Sequence, residues 1–261
     1  MLGKLIKHEL NATGRIFLPL YFIILILSLV NRVLITISIT NGPLDILRGF
    51  TIAAYSLSIV ATLIVTFVIM IMRFYRNLIT DEGYLMLTLP VKSSQLINSK
   101  LITSILWNIA SIIIVGISLL IMLGTTKNMD MLKEFIDFVH MGLKSSFGNS
   151  YVLLIIEFII MIILSLIQQV LLIYISIAIG HLFNSHRVLG AFVSYIAITT
   201  IIQILVTVIL MVWARVAGSS LDALEAVPEL VFPFSIIFSV ICNVVYYFGT
   251  NYIFKNKLNL E

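Results

Sequence analysis

The stretch YVLLIIEFIIMIILSLIQQVLLIYISIAI, residues 151–179, contains a single charged residue, Glu157. Its apolar residues run through Tyr151–Ile156 and Phe158–Ile167, the second run interrupted by Ser165 alone. A membrane-spanning β-strand needs apolar and polar residues to alternate over about ten positions, whereas a helix satisfies its own backbone and accepts a continuous apolar run. At about 1.5 Å per residue the segment more than crosses a hydrocarbon layer of about 30 Å. It predicts a tilted transmembrane helix.

Five further segments read the same way, at about 16–39, 50–72, 101–123, 188–213 and 232–254. The whole chain is 61% hydrophobic and 11% charged over 261 residues. Soluble domains carry about 45–50% apolar and about 25% charged residues, so lipid must solvate much of this surface. The fold class expected is all-α, a polytopic membrane protein with six transmembrane helices forming one domain over 1–261. No internal repeat stands out, and matching Gly- or Pro-broken helices of the inverted-repeat transporter kind are not apparent.

Residues 1–15 predict an amphipathic helix at the membrane surface. Leu2, Leu5, Ile6 and Leu10 recur at helical spacing opposite Lys4, Lys7, His8 and Asn11, and Glu9 interrupts the apolar side. The apolar stretch after it is too long for a signal peptide and lacks a small-x-small cleavage site, which predicts that it is retained.

Lys and Arg residues set the orientation. Lys4, Lys7, Arg15, Arg73, Arg76, Lys92, Lys100, Arg187, Lys255 and Lys257 fall on one side; Arg48, Lys127, Lys133, Lys144 and Arg215 fall on the other. The richer side is expected to be cytoplasmic, which puts both termini there and the protein in the plasma membrane.

Two connections carry pattern. Residues 73–100, RFYRNLITDEGYLMLTLPVKSSQLINSK, form the longest cytoplasmic stretch, yet half of it is apolar. Tyr84, Leu85, Leu87 and Leu89 beside Asp81 and Glu82 should lie against something; Pro90 punctuates the segment, and Ser93 or Ser94 is placed to cap the next helix. The external loop 124–150 sets Leu132, Phe135, Ile136 and Val139 against Asp130, Lys133, Glu134 and Asp137, which predicts an interfacial helix.

Catalytic constellations are weak. His-Glu-Leu-Asn-Ala at 8–12 opens like a zinc-protease motif, but Ala12 stands where the second ligand belongs. The four histidines (8, 140, 181 and 186) fall on different segments. Gly116-Ile117-Ser118 lacks the second glycine of a serine-nucleophile turn, and Cys242 reads as a packing residue. No catalytic, metal or cofactor site is expected, and no nucleic-acid partner. The chain has no G-x-x-x-x-G-K-[ST] loop, so it does not bind nucleotide in that manner.

Polar residues inside spans are the remaining candidates. Arg32 is close enough to the end of its span to snorkel. Glu157 is expected as a buried carboxyl or a partner to a neighbouring helix. Asn108, Gln168, Gln169, Gln203 and Asn243 are expected to hydrogen-bond between helices.

Three stretches together, KHELNATGRIFLPLY (7–21), ITDEGYLMLTLPVKSSQLINSKL (79–101) and GHLFNSHRVLG (180–190), resemble the small six-span permeases of the ABC-2 class of ABC transporters, of the Gram-positive bacterial type. The resemblance runs over essentially the whole chain. It implies the membrane subunit of an exporter, itself non-catalytic, that pairs with a second permease copy or paralogue and with separate subunits holding ATP and Mg. It further implies that Asp81–Pro90 couples to the ATPase, with Glu82, Gly83, Tyr84 and Leu85 at the centre. His181, Asn184, His186 and Arg187 would form a second cytoplasmic contact. Apolar spans with few fixed charges suit an amphipathic solute such as an antimicrobial peptide or lipid. The alternative is a standalone secondary transporter or channel.

Overall fold

The computed structural model describes residues 2–37, 43–79, 93–124, 126–183, 186–217 and 231–256. Among these residues there are seven α-helices: α1 (Leu2–Thr36), α2 (Pro43–Ile79), α3 (Ser93–Leu123), α4 (Thr126–Phe147), α5 (Tyr151–Gly180), α6 (Arg187–Ala217) and α7 (Phe232–Asn256). All but α4 are long and apolar enough to cross a membrane, which makes six spans. The chain is a multi-pass helical membrane protein, as its hydropathy predicts.

Side-chain exposure reflects that solvent. Large apolar residues face outward along every span, Phe22 at 65% exposure among them. In water such a surface would drive aggregation; in lipid it is the solvated face. The interior mixes apolar residues with polar side chains, including Ser28, Asn31, Thr62, Ser118 and Thr250. Small hydroxyl residues let helices approach closely and bond across them or back to their own carbonyls.

Boundaries differ from expectation in two places. The surface helix of 1–15 is not a separate element, because α1 continues without a break from Leu2 through Pro19 to Thr36. Lys4, Lys7, His8 and Asn11 are nonetheless exposed, as the amphipathic pattern requires. The polar stretch after span two is shorter than 73–100, since α2 runs on to Ile79 and α3 starts at Ser93. Hydropathy ends a span where charges begin, but the helix itself can run past the hydrocarbon into the headgroups. The amphipathic pattern in the external loop does form a helix, α4, with Phe135 and Ile136 exposed.

The chain divides into two compact units. Unit 1 comprises residues 1–73 and 98–136, which hold α1, most of α2, most of α3 and the start of α4. Its core is Phe17, Tyr21 and Ile69, packed with Val65, Trp107, Ala110 and Ile114. Unit 2 comprises residues 74–97 and 137–261. There α5 packs against both α6 and α7, and its C-terminal stretch from Val170 to Gly180 is almost wholly buried.

The turn from α5 to α6 depends on glycine. A Cβ on Gly180 would run into the backbone nitrogen of Ala191, and one on Gly190 would meet the Gly180 carbonyl oxygen at 3.0 Å and a Phe183 ring carbon at 2.7 Å. Only hydrogen fits between these two backbones.

Candidate functional site

In unit 1 three charges meet where polarity would be least expected. Glu9 is 4% exposed and Lys100 3%. The Lys100 ammonium donates to Glu9 Oε1 at 2.6 Å, and Arg73 Nη1 lies 3.8 Å from Glu9 Oε2. Burying charge is costly unless each group is matched, and here one carboxylate oxygen faces each cation. Glu9 therefore does not spoil the amphipathic face of α1: it is the residue that face is built to bury. A small cavity of about 20 Å³ beside it, bounded by Thr13, Met70, Ser104 and Trp107, matches the volume that holds one water molecule.

The cluster continues along α1. Thr13 Oγ1 donates to the Glu9 carbonyl at 2.7 Å and accepts from Trp107 Nε1 at 2.7 Å. The Trp107 indole stacks on Phe17, ring centroids 4.4 Å apart. One turn on, Tyr21 and Thr66 both bond to the Ser111 hydroxyl, at 2.8 and 2.9 Å, and Tyr55 bonds to Ser118 at 2.9 Å. This seam joins α1, α2 and α3.

The position of the cations matters more than their number. The chain leaves unit 1 after Arg73 and returns at Asn98, so Arg73 and Lys100 sit at the two stems of the 74–97 segment. A single carboxylate on α1 holds both stems. Within unit 2 the same segment is tied down separately. Phe74 stacks on Tyr174 with centroids 3.7 Å apart and meets Phe254 edge-on at 5.5 Å, while Ser93 Oγ donates to Asn251 Oδ1 at 3.2 Å. Leu96 and Ile97 are buried. The coupling residues named from the sequence (Asp81, Glu82, Gly83, Tyr84, Leu85, Leu87, Leu89 and Pro90) lie outside the described residues.

At the second expected contact, Asn184 also lies outside the described residues. His181 is buried, at 9% exposure, and Arg187 Nη1 donates to its Nε2 at 3.3 Å. Among the described residues of this turn, His186 and the apolar side chains of Leu182 and Phe183 are exposed. An apolar residue in a short turn between spans was the available signal for those two.

The intramembrane candidates separate by environment. Arg32 donates to the carbonyls of Ile121 and Gly124 at 3.1 and 3.3 Å, capping the end of α3. Arg48 does the same for α1 through the Leu34 and Ile37 carbonyls, at 2.7 and 2.9 Å. Asn108 Nδ2 reaches Met70 Sδ at 2.9 Å, from α3 to α2. Gln168 Oε1 accepts from Ser239 Oγ at 2.7 Å, and Asn243 Nδ2 donates to the Leu164 carbonyl at 3.3 Å; both join α5 to α7. Gln169 and Gln203, expected between helices, are exposed instead. A step of one residue turns a helical side chain by about 100°, which carries Gln169 off the face that Gln168 occupies. Glu157 Oε2 is buried with no hydrogen-bond partner. Among the described residues no three His, Cys, Asp or Glu side chains come together as a metal site would need.

Six apolar spans packed in this way give the chain the general build of a membrane transporter. No protein-family model matches the chain, and neither does any curated protein or solved structure.

Proposed function

We propose that the chain is the membrane-spanning permease subunit of an ATP-driven exporter of the ABC-2 class. In this reading it catalyses nothing itself. A separate subunit binds ATP and Mg, a second permease copy or a paralogue completes the pathway, and both termini face the cytoplasm at the plasma membrane. The cargo is an amphipathic solute.

The observation that carries the reading is the grip of Glu9 on both stems of the 74–97 segment. A loop that only linked two spans would need no such anchorage. A loop that receives force from a motor needs stems that pass it to the spans as rigid-body movement, because packed helices shift between discrete arrangements rather than bending freely. The exposed Leu182, Phe183 and His186 at the α5–α6 turn lie on the same side as that loop by the charge count, and supply a second apolar foothold.

The test is co-purification with an ATP-binding protein encoded beside it, in detergent, with and without residues 81–89. The intact chain is expected to retain the ATPase and the deletion to lose it while remaining monodisperse. Retention by the deleted chain overturns the coupling assignment. Solute movement driven by an ion gradient in vesicles holding this chain alone overturns the motor and favours a secondary transporter.

A further inference from the structure

Unit 2 contains a cleft of about 830 Å³ that no feature of the coupling cluster explains. Its floor is α5 and its walls are α6 and α7. The walls are mostly apolar, with Ile202, Val206 and Ile209 on one side and Phe234 and Phe238 on the other. Polar groups are few and convergent: Ser165 and Gln168 on the floor, with Ser235 and Ser239 across from them. Such a volume holds a drug-sized or single-chain amphiphile, and an apolar wall with a few placed polar groups is the usual make-up of a ligand site.

One side chain adds a charge to this picture. Glu157, Met161, Ser165 and Gln168 succeed one another at spacings of four, four and three along α5, so they share one face of the helix. Three of them line the cleft, and Glu157 stands one turn beyond, toward the end where α5 begins. Its Oε2 is buried without a hydrogen-bond partner. A carboxylate inside a span is costly unless something meets it. Arg32, Glu9 and Lys100, by contrast, have each found carbonyls or a counter-ion.

We infer that this cleft binds an amphiphile with a cationic head, an amine or guanidinium that meets Glu157 while its apolar chain lies between Phe234, Phe238 and the α6 wall. The inference deepens the transporter reading and rests on it for the step after binding, whereas binding itself requires no ATPase. Charge complementarity selects this occupant. An anionic lipid would be repelled by Glu157, and a neutral chain would leave its oxygen unmet. Ser165, Gln168 and Ser239, away from Glu157 along the cleft, admit one or two polar groups on the tail, as an amphipathic peptide side chain or a hydroxylated chain would carry.

The experiment uses the full chain in phosphatidylglycerol nanodiscs with a photoreactive diazirine analogue of dodecylamine, its crosslinks mapped by peptide mass spectrometry. Labelling is expected on α5–α7 peptides, displaced by dodecylamine but not by dodecanol or dodecyl sulfate. E157Q should weaken it about tenfold, the loss that about 1.4 kcal/mol of a charge-assisted contact represents, and E157D should keep most of it. Melting curves for both variants separate loss of the site from loss of the fold. Equal labelling of a folded E157Q, or displacement by the alcohol as effective as by the amine, overturns the inference and marks the cleft as ordinary lipid-facing surface. Crosslinks through the cleft to a second copy of the chain also overturn it. A negative labelling result leaves the co-purification result untouched, and the reverse holds.

Discussion

The ammonium of Lys100 sits 2.6 Å from Glu9 Oε1, across 91 positions of sequence and with both side chains almost fully buried. Each charge is costly to bury there, and the two offset one another. Replacing Glu9 with Gln keeps the shape and strips the charge, which deprives Lys100 of that counter-ion at a cost of about 3–5 kcal/mol. Lys100→Met is expected to cost less, because Arg73 Nη1, 3.8 Å from Glu9 Oε2, still faces the carboxylate. The double variant E9Q/K100M is expected to cost clearly less than the two singles added, as replaced buried pairs do. Unfolding of the four proteins in mild detergent measures this cycle, and strict additivity would show that the pair is not coupled.

The glycine contact at the α5–α6 turn makes a prediction without any charge in it. Gly180→Ala drives a methyl group into the Ala191 backbone, which cannot move aside as a side-chain tip can. A cost of about 1–3 kcal/mol is expected, the range for overpacked interiors. Gly249→Ala presses on the Ile175 Cδ1 methyl, at 2.8 Å, and a rotamer change at Ile175 relieves it. Comparing the two melting temperatures checks the claim, which fails if Gly249→Ala is the more damaging.

Hydroxyl bonds along the α1–α3 seam should each contribute little. Tyr21→Phe removes the bond to Ser111, along with a long 3.4 Å one to the Trp107 carbonyl, and is expected to cost about 0.6 kcal/mol, the average for hydrogen bonds between membrane helices. Ser111→Ala removes the shared partner of Tyr21 and Thr66 together and should cost more. Thr66 keeps its bond to the Thr62 carbonyl, so the difference stays small. Chemical unfolding of the two variants gives the order.

Arginine geometry sets a fourth expectation. Arg48 reaches the carbonyls of Leu34 and Ile37 with one guanidinium. A lysine there carries the charge but not the planar fork, whose Nε and Nη2 both donate to the Leu34 carbonyl while Nη2 also reaches Ile37. Arg48→Lys is expected to lose part of the cap, and Arg48→Met all of it, at about 0.3–1 kcal/mol. Hydrogen exchange at the C-terminal turn of α1 would register the loss; equal protection in Arg48→Lys and the parent would rule the fork out.

The spans were legible because hydropathy is local: about 18 consecutive apolar residues declare a helix whatever surrounds them. The amphipathic arc of Leu2–Leu10 and the helix at α4 were legible for the same reason, through periodicity. Glu9 was not, since a pattern read over one or two turns registers only a misplaced acid. Its partners lie in α2 and α3, and nothing within four residues of Glu9 points to them. Gln168 and Gln169 show the limit more finely. They are neighbours of identical chemistry, yet one bonds to Ser239 and the other is exposed, because only the rotation of α5 against α7 distinguishes them. The same rotation sets which residues line the cleft, and no composition rule for an apolar span reveals it.

The first helix also has a mechanical character that its fastenings dictate. Glu9 and Arg32 stand 23 residues apart on α1, about 35 Å along the axis at the usual helical rise. Both attach to the same neighbour. Near its start α1 is pinned to Lys100, and near its end Arg32 grips the carbonyls of Ile121 and Gly124. The matching intervals, Glu9 to Arg32 on α1 and Lys100 to Ile121 on α3, make the two helices a pair of parallel beams bolted at each end. Such a frame resists sliding and swivelling between its members, so α1 and α3 would travel together as one strut, and any change of shape in unit 1 would have to fall elsewhere.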